Sequence, residues 1–202
     1  MASVYDGFIS RSLNRRISRP CARLLSHTPV TPNQVSFASV GVALGTFFLF
    51  VYDYPIAAGL LAQASSIVDG IDGDLARLKR MTTAFGGFMD SVLDRYVDTL
   101  ILLGLTIWAS GDSPETHVWL VGFLALAGSF AVTYTRARLE NLPRDVFDRG
   151  ITSLASRDVR LFVVMIGAVS GQGLATLIVL ASMTNVVVLL RVIHARRLLM
   201  GT

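Results

Sequence analysis

Charged side chains are scarce in this chain of 202 residues. Asp, Glu, Lys and Arg together make up 16% of it, where a soluble domain usually carries about 25%. That shortage argues against a soluble globular fold. Cysteine is nearly absent: Cys21 is the only one, so no internal disulfide can form and redox compartment is not readable. The opening is not expected to act as a signal peptide, because Met1-Ala2-Ser3 leads into a polar, arginine-rich segment and the first long apolar run begins only near residue 33. There is no internal repeat and no low-complexity tract. The three histidines, His27, His117 and His194, are too dispersed to share a metal. The net charge of +4 does not indicate nucleic acid, because its distribution has another explanation, given below.

What the chain does have is apolar length. Hydrophobic residues make up 52%, the mean hydropathy is +0.58, and the excess comes in blocks near the ~20 residues that a spanning helix needs. Six blocks are expected to form helices, at about 33–52, 55–79, 83–110, 115–138, 153–170 and 174–195, the fifth being the shortest in purely apolar residues. Ahead of them, Ile9, Leu13, Ile17, Leu24 and Leu25 recur at helical spacing among Arg11, Arg15, Arg16, Arg19 and Arg23. Residues 1–32 therefore read as an amphipathic helix on the membrane surface, and residues 33–202 as the transmembrane domain. Thr31-Pro32 marks the first helix start. Basic residues gather in the N-terminal segment, the second and fourth connections and the C-terminal end, and every Lys and Arg except Arg95 falls there. By the positive-inside rule both termini face the cytoplasm, which an even number of spans permits. The expected fold is an all-α integral membrane protein of six transmembrane helices preceded by an interfacial helix.

Acidic residues within apolar helices are expensive and by default mark function. Asp69 and Asp72 are three residues apart on one helix face; Asp90, Asp94 and Asp98 are spaced by four on another. The short connection near 80–83 makes the two helices antiparallel neighbours. At 1.5 Å rise per residue, Asp69, Asp72, Asp90 and Asp94 then lie at similar depth, roughly 12–17 Å from the cytoplasmic end. Four carboxylates so close repel one another unless a cation joins them. A hard divalent ion with oxygen ligands answers that need and leaves positions open for phosphate. Gly70, Gly73, Gly86 and Gly87 allow close approach to backbone, and Arg77 and Lys79 bring positive charge to the mouth. The combination reads as diphosphate chemistry. Asp74 and Asp98 extend the acidic faces and are expected to pair with Arg95, Lys79 or Arg77.

Asp69-x-x-Asp72-Gly73-x-x-Ala76-Arg77, then eight residues, then Gly86-x-x-x-Asp90-x-x-x-Asp94 resembles the signature of the CDP-alcohol phosphotransferase family, archaeal members included. The motif covers 69–94, and the helix layout resembles the family along the whole chain. The resemblance implies transfer of a substituted phosphate from a CDP-linked alcohol to an acceptor hydroxyl by in-line displacement, with release of CMP. It implies that Asp69, Asp72 and Asp90 bind one or two divalent ions, Mg²⁺ or Mn²⁺, and that Asp94 is the general base. Gly73 and Ala76 would leave room for the nucleotide, Arg77 would hold phosphate, and Gly86 would allow close helix packing. It further implies a homodimer, for which Gly41-x-x-x-Gly45 offers a small-residue face that could equally pack within the monomer. Some archaeal members carry a soluble nucleotidyltransferase-like domain ahead of the membrane part, and the abrupt start leaves room for one. Arg138, Arg157 and Arg160 are candidates to hold an anionic acceptor such as an inositol phosphate, set against ordinary positive-inside loop charge.

Two other functions compete. An aspartate-rich membrane prenyltransferase would use Asp69-x-x-Asp72, but not the Gly73, Ala76, Arg77 and Gly86 spacing. An ion or proton transporter needs a polar path across the bilayer, and the remaining spans carry no deep acidic residue.

Overall fold

The computed structural model describes residues 14–111, 115–138 and 155–200. Among these, every regular element is a helix: α1 (Arg15–Ser26), α2 (Pro32–Val51), α3 (Pro55–Leu78), α4 (Ala84–Ser110), α5 (Thr116–Arg138), α6 (Arg157–Val169) and α7 (Gly173–Met200). The expected boundaries hold to within a few residues except at the two ends of the pattern. Ile9, Arg11 and Leu13 of the surface helix lie outside the described residues, as do Arg144 and Arg149 of the fourth connection.

Local chemistry explains the starts and stops. Thr31 and Gln34 cap the start of α2 reciprocally, each side chain accepting from the other's backbone N–H, with Pro32 in the first turn. Thr83 caps α4 by accepting from Gly86 N at 2.9 Å. Three helices end alike. After α2, α3 and α6 the chain turns at Asp53 (φ 61°), Arg80 (φ 55°) and Gly171 (φ 72°). The following N–H groups reach back to Leu49, Ala76 and Gly167 carbonyls at 2.8, 2.9 and 2.8 Å. These are Schellman motifs. The one at Arg80 reverses the chain between the two acidic helices.

Three helices, α2, α5 and α7, are long and apolar enough to cross a membrane. α3 and α4, with 24 and 27 residues, have the length, but their aspartates dilute the apolar character. α6 is shorter than block five: its described helix has 13 residues, roughly 20 Å against a hydrocarbon core of about 30 Å.

α1 is anchored more firmly than a surface helix needs to be. Arg15, Ser18 and Ala22 are buried against α3. Arg16, Arg19 and Arg23 are exposed on a second face, and Ile17 and Leu24 on a third. Asn14 joins the same seam, donating to Ser66 Oγ at 2.9 Å and accepting from Gln63 Nε2 at 2.8 Å.

Glycines form several helix seams. Gly104 lies against Phe47 backbone, Gly59 against Met165 and Ala168, and Gly128 against Thr184. A Cβ at Gly128 would stand 2.9 Å from Thr184 Cβ, which no rotamer change relieves. Gly128→Leu is expected to separate α5 from α7 at a cost of roughly 1–3 kcal/mol. A fall of several degrees in the thermal midpoint of the detergent-solubilised protein would register it. Gly41→Leu, where a Cβ meets nothing within 4 Å, is the control. Gly45 already touches Leu61 of α3, so part of the Gly41-x-x-x-Gly45 face is spent within the monomer.

Candidate active site

α3 and α4 are joined by a tight turn, yet they scarcely pack on each other. α2 lies along both, and α6 lies along α3. This differs from the packed hairpin expected from the short connection, and the difference makes the site. The gap between α3 and α4 is an open cavity of about 300 Å³, lined by Pro32, Asn33 and Ser36 of α2, by Asp72, Gly73, Ala76 and Arg77 of α3, by residues 81–83, and by Gly86, Gly87 and Asp90. Gly73, Ala76, Arg77 and Gly86 all line this one space.

The carboxylates meet at its inner end. Asp69, Asp72 and Asp90 each bring one oxygen to within 4.8 Å of the others. Asp72 is buried, and its Oδ2 accepts from Ser36 Oγ, so α2 fixes one carboxylate of the cluster. Asp94 stands one turn further along α4 and is not in this triad. Its Oδ1 is 2.8 Å from Arg157 Nη1, and the same Nη1 is 2.6 Å from Asp69 Oδ1. Arg157 belongs to the first turn of α6 and also reaches Asp98 Oδ1 through Nε at 3.3 Å. Arg160 Nη2 donates to Asp98 Oδ2 at 2.7 Å, and Arg95 Nη2 lies 3.8 Å from Asp94 and 3.9 Å from Asp98.

Formal charge tests whether a metal fits. Five carboxylates, Asp69, Asp72, Asp90, Asp94 and Asp98, face three guanidinium groups, Arg95, Arg157 and Arg160. The ensemble is two charges short of neutral, the deficit that one divalent cation fills. The arginines gather at Asp94 and Asp98 and touch the triad only at Asp69. Asp72 and Asp90 have no ion pair among the described residues, so the uncompensated charge sits on the triad. All the donors are oxygen, as a hard cation prefers.

The structure places the other expected residues less uniformly. Arg157 and Arg160 join the carboxylates; Arg138 ends α5 as an exposed side chain with no ion pair to the cluster. Asp74 pairs with Arg77 at 2.5 Å as expected, and also with Arg15 of α1 at 2.6 Å. Among the described residues Lys79 pairs with no aspartate; it donates to the Thr28 and Val30 carbonyls at 2.5 and 2.7 Å. Gly70 does not face the cavity, because Ser18 of α1 lies over it at 3.4 Å. Gly86 is not a packing glycine: a Cβ there would meet only its own cap, Thr83 Oγ1, at 3.0 Å. Ser36 and Arg15 were not foreseen. Nothing local marks either, since their partners lie 36 and 59 residues away. Asp98 did carry a signal, its four-residue spacing from Asp94.

Comparison with known proteins gives the family and the fold. Residues 29–194 match the sequence model of the CDP-alcohol phosphatidyltransferase family. The chain is 38% identical over 194 residues to a bifunctional IPC transferase and DIPP synthase of Aquifex aeolicus, covering 94% of this chain and 44% of that one. It thus spans less than half the length of that relative. It is 32% identical to an archaetidylinositol phosphate synthase of Aeropyrum pernix, covering 89% of this chain and 88% of that one. Among solved structures, it shares its fold with a phosphatidylinositol phosphate synthase of Mycobacterium tuberculosis bound to CDP-DAG. The TM-score is 0.73 at 24% identity, covering 88% of this chain and 92% of that one.

Proposed function

Because the chain belongs to the CDP-alcohol phosphatidyltransferase family, we propose that it moves a substituted phosphate from a CDP-linked alcohol to the hydroxyl of a phosphorylated polyol, releasing CMP, at the α3–α4 cavity. The observation that carries this reading is the convergence of the oxygen triad, a separate carboxylate and an arginine at the inner end of a cavity lined by Gly73, Ala76 and Arg77.

The residues divide the work by position. Gly73, Ala76 and Gly86 leave the cavity wall free of bulk, so the nucleotide can lie against backbone. Arg77, half-exposed at the rim and held by Asp74, offers its outer edge to phosphate. Asp69, Asp72 and Asp90 would hold a divalent ion. When bound, that ion supplies Lewis-acid polarisation of the diphosphate and neutralises charge on departing CMP. Asp94 accepts the proton of the acceptor hydroxyl. The hydroxyl oxygen bonds to the phosphorus being transferred, and the bond from that phosphorus to the bridging oxygen of CMP breaks. Divalent-ion use by the fold is in keeping with a second structure of the Mycobacterium tuberculosis enzyme, which was determined with manganese and citrate.

An anionic acceptor follows from Arg157. Its guanidinium touches Asp94, so one small molecule can place a hydroxyl at the base and a phosphate on the arginine. The Aeropyrum pernix relative described above carries inositol phosphate in its name, which supports an inositol phosphate here. For the chain in its membrane, six crossings with both termini and the cavity on the cytoplasmic side remain the arrangement that the distribution of Lys and Arg supports.

CMP release by the purified protein tests the reading, with a panel of CDP-alcohols and of phosphorylated and unphosphorylated acceptors, with and without Mg²⁺. Mg²⁺-dependent release is expected with a phosphorylated polyol. Arg160→Ala is expected to erode the preference for phosphorylated over free polyol by about tenfold, because Arg160 holds Asp98, which in turn meets Arg157. Unchanged preference in that variant would return Arg160 to a purely structural place. No metal-dependent CDP binding at all would sink the transferase reading.

A further inference from the structure

Asp98 stands outside the reaction described above, although it is the most deeply buried of the five carboxylates, with 3% of its side chain exposed. Its two oxygens are used differently. Oδ2 accepts from Arg160 Nη2 at 2.7 Å, and Arg160 is itself held from the other side, Nη1 donating to the Ala155 carbonyl at 2.9 Å. Oδ1 accepts from Arg157 Nε at 3.3 Å. A chain of contacts thus runs from backbone through Arg160 and Asp98 to Arg157. The guanidinium group is planar, so fixing it at Nε orients the whole fork. Taken at that edge, Arg157 turns its Nη groups away from Asp98. Nη1 meets Asp69 and Asp94, and Nη2 is buried without a hydrogen-bond partner among the described residues. A buried donor with no acceptor is costly unless something supplies one.

We propose that Asp98 is a positioning residue for the acceptor: it grips Arg157 by Nε so that the Nη edge, beside Asp94, is presented to the anionic group of the incoming alcohol. This rests on the reading that the acceptor is anionic. It makes Arg157 the anion anchor and gives Arg160 a supporting place, since Arg160 spends Nη1 on Ala155 and Nη2 on Asp98. Stability alone is a weak reason for the cluster, because buried ion pairs often contribute no more than apolar side chains of similar volume.

The test uses the whole protein in detergent, comparing wild type with Asp98→Asn, which keeps the shape and removes the charge. Initial rates of CMP release are measured with the best donor and with an inositol monophosphate, each varied in turn. Mn²⁺-dependent CDP binding is measured beside them. The expected result is an acceptor KM raised about ten- to a hundredfold, the effect of losing one charged hydrogen bond. The donor KM and the CDP affinity should stay within about twofold, a margin well under the tenfold that 1.4 kcal/mol represents. An unchanged acceptor KM, or donor and acceptor affected alike, would overturn the proposal. Should Asp98→Asn fail to fold, Asp98→Asn/Arg160→Gln removes one buried charge of each sign and is compared with Arg160→Gln in the same way. Inorganic phosphate gives a second readout that needs no turnover. It should protect the wild type against thermal unfolding and protect Asp98→Asn far less. If the wild type releases no CMP with any pair, metal-dependent CDP binding decides on the transferase reading, and phosphate protection alone decides on Asp98. Equal protection of both proteins, or none of either, counts against it.

Discussion

Asp94→Asn is expected to lower kcat for CMP release by about 10²–10⁴-fold, the range that a positioned general base contributes, while Mn²⁺-dependent CDP binding survives. The separation follows from geometry. Asp69, Asp72 and Asp90 bring oxygens together within 4.8 Å; Asp94 is not part of that group and meets Arg157 instead at 2.8 Å. The amide of Asn keeps the size of the side chain and one oxygen for Arg157, but it cannot take a proton at neutral pH. Metal and nucleotide therefore keep their ligands, and only the proton transfer is lost. If CDP binding disappeared together with turnover, Asp94 would be a metal ligand and the base would lie elsewhere. A rate within a few-fold of wild type would remove Asp94 from the chemistry altogether.

The four spaced aspartates were legible because a helix converts spacing into geometry. Residues three or four apart share a face whatever surrounds them, so Asp69 with Asp72, and Asp90 with Asp94, could be paired from the sequence. The first helix start was legible for the same reason: Thr31-Pro32 acts within its own first turn. What joins separate helices was not legible. Ser36 reaches Asp72, Arg15 reaches Asp74 and Arg157 reaches Asp69 across 36, 59 and 88 residues. No local pattern requires any of those partners. The splay of α3 from α4 had the same origin. A short connection dictates direction, but which helix fills the groove is decided by packing, and here α2 and α6 take the flanks. α6 shows the reverse limit. Its apolar run from Leu161 to Val169 was visible, but the contacts of Arg157 and Arg160 in its first turn with Asp98 leave no mark in hydropathy.

Asp72→Asn is expected to separate stability from activity in opposite directions. In chelator, the wild-type triad holds three carboxylates whose oxygens lie within 4.8 Å of one another, and like charges at that distance repel. Replacing one by an amide removes part of the repulsion, and the amide oxygen can still accept from Ser36. The apo variant should therefore melt no lower than apo wild type. Adding Mg²⁺ or Mn²⁺ should raise the melting temperature of the wild type, because an ion that binds only the folded state stabilises it by mass action. The same addition should leave Asp72→Asn nearly unmoved. CMP release should fall by roughly a thousandfold or more, since a bound metal supplies several kcal/mol of charge stabilisation and each 1.36 kcal/mol is tenfold in rate. Thermal scans with and without metal, beside one rate assay, make the measurement. A variant that melts well below the wild type in chelator would show that Asp72 serves packing through Ser36, and a normal response to metal would place the ion on other ligands. The net deficit of two charges in the cluster, set against Arg95, Arg157 and Arg160, gives the reason to expect neither.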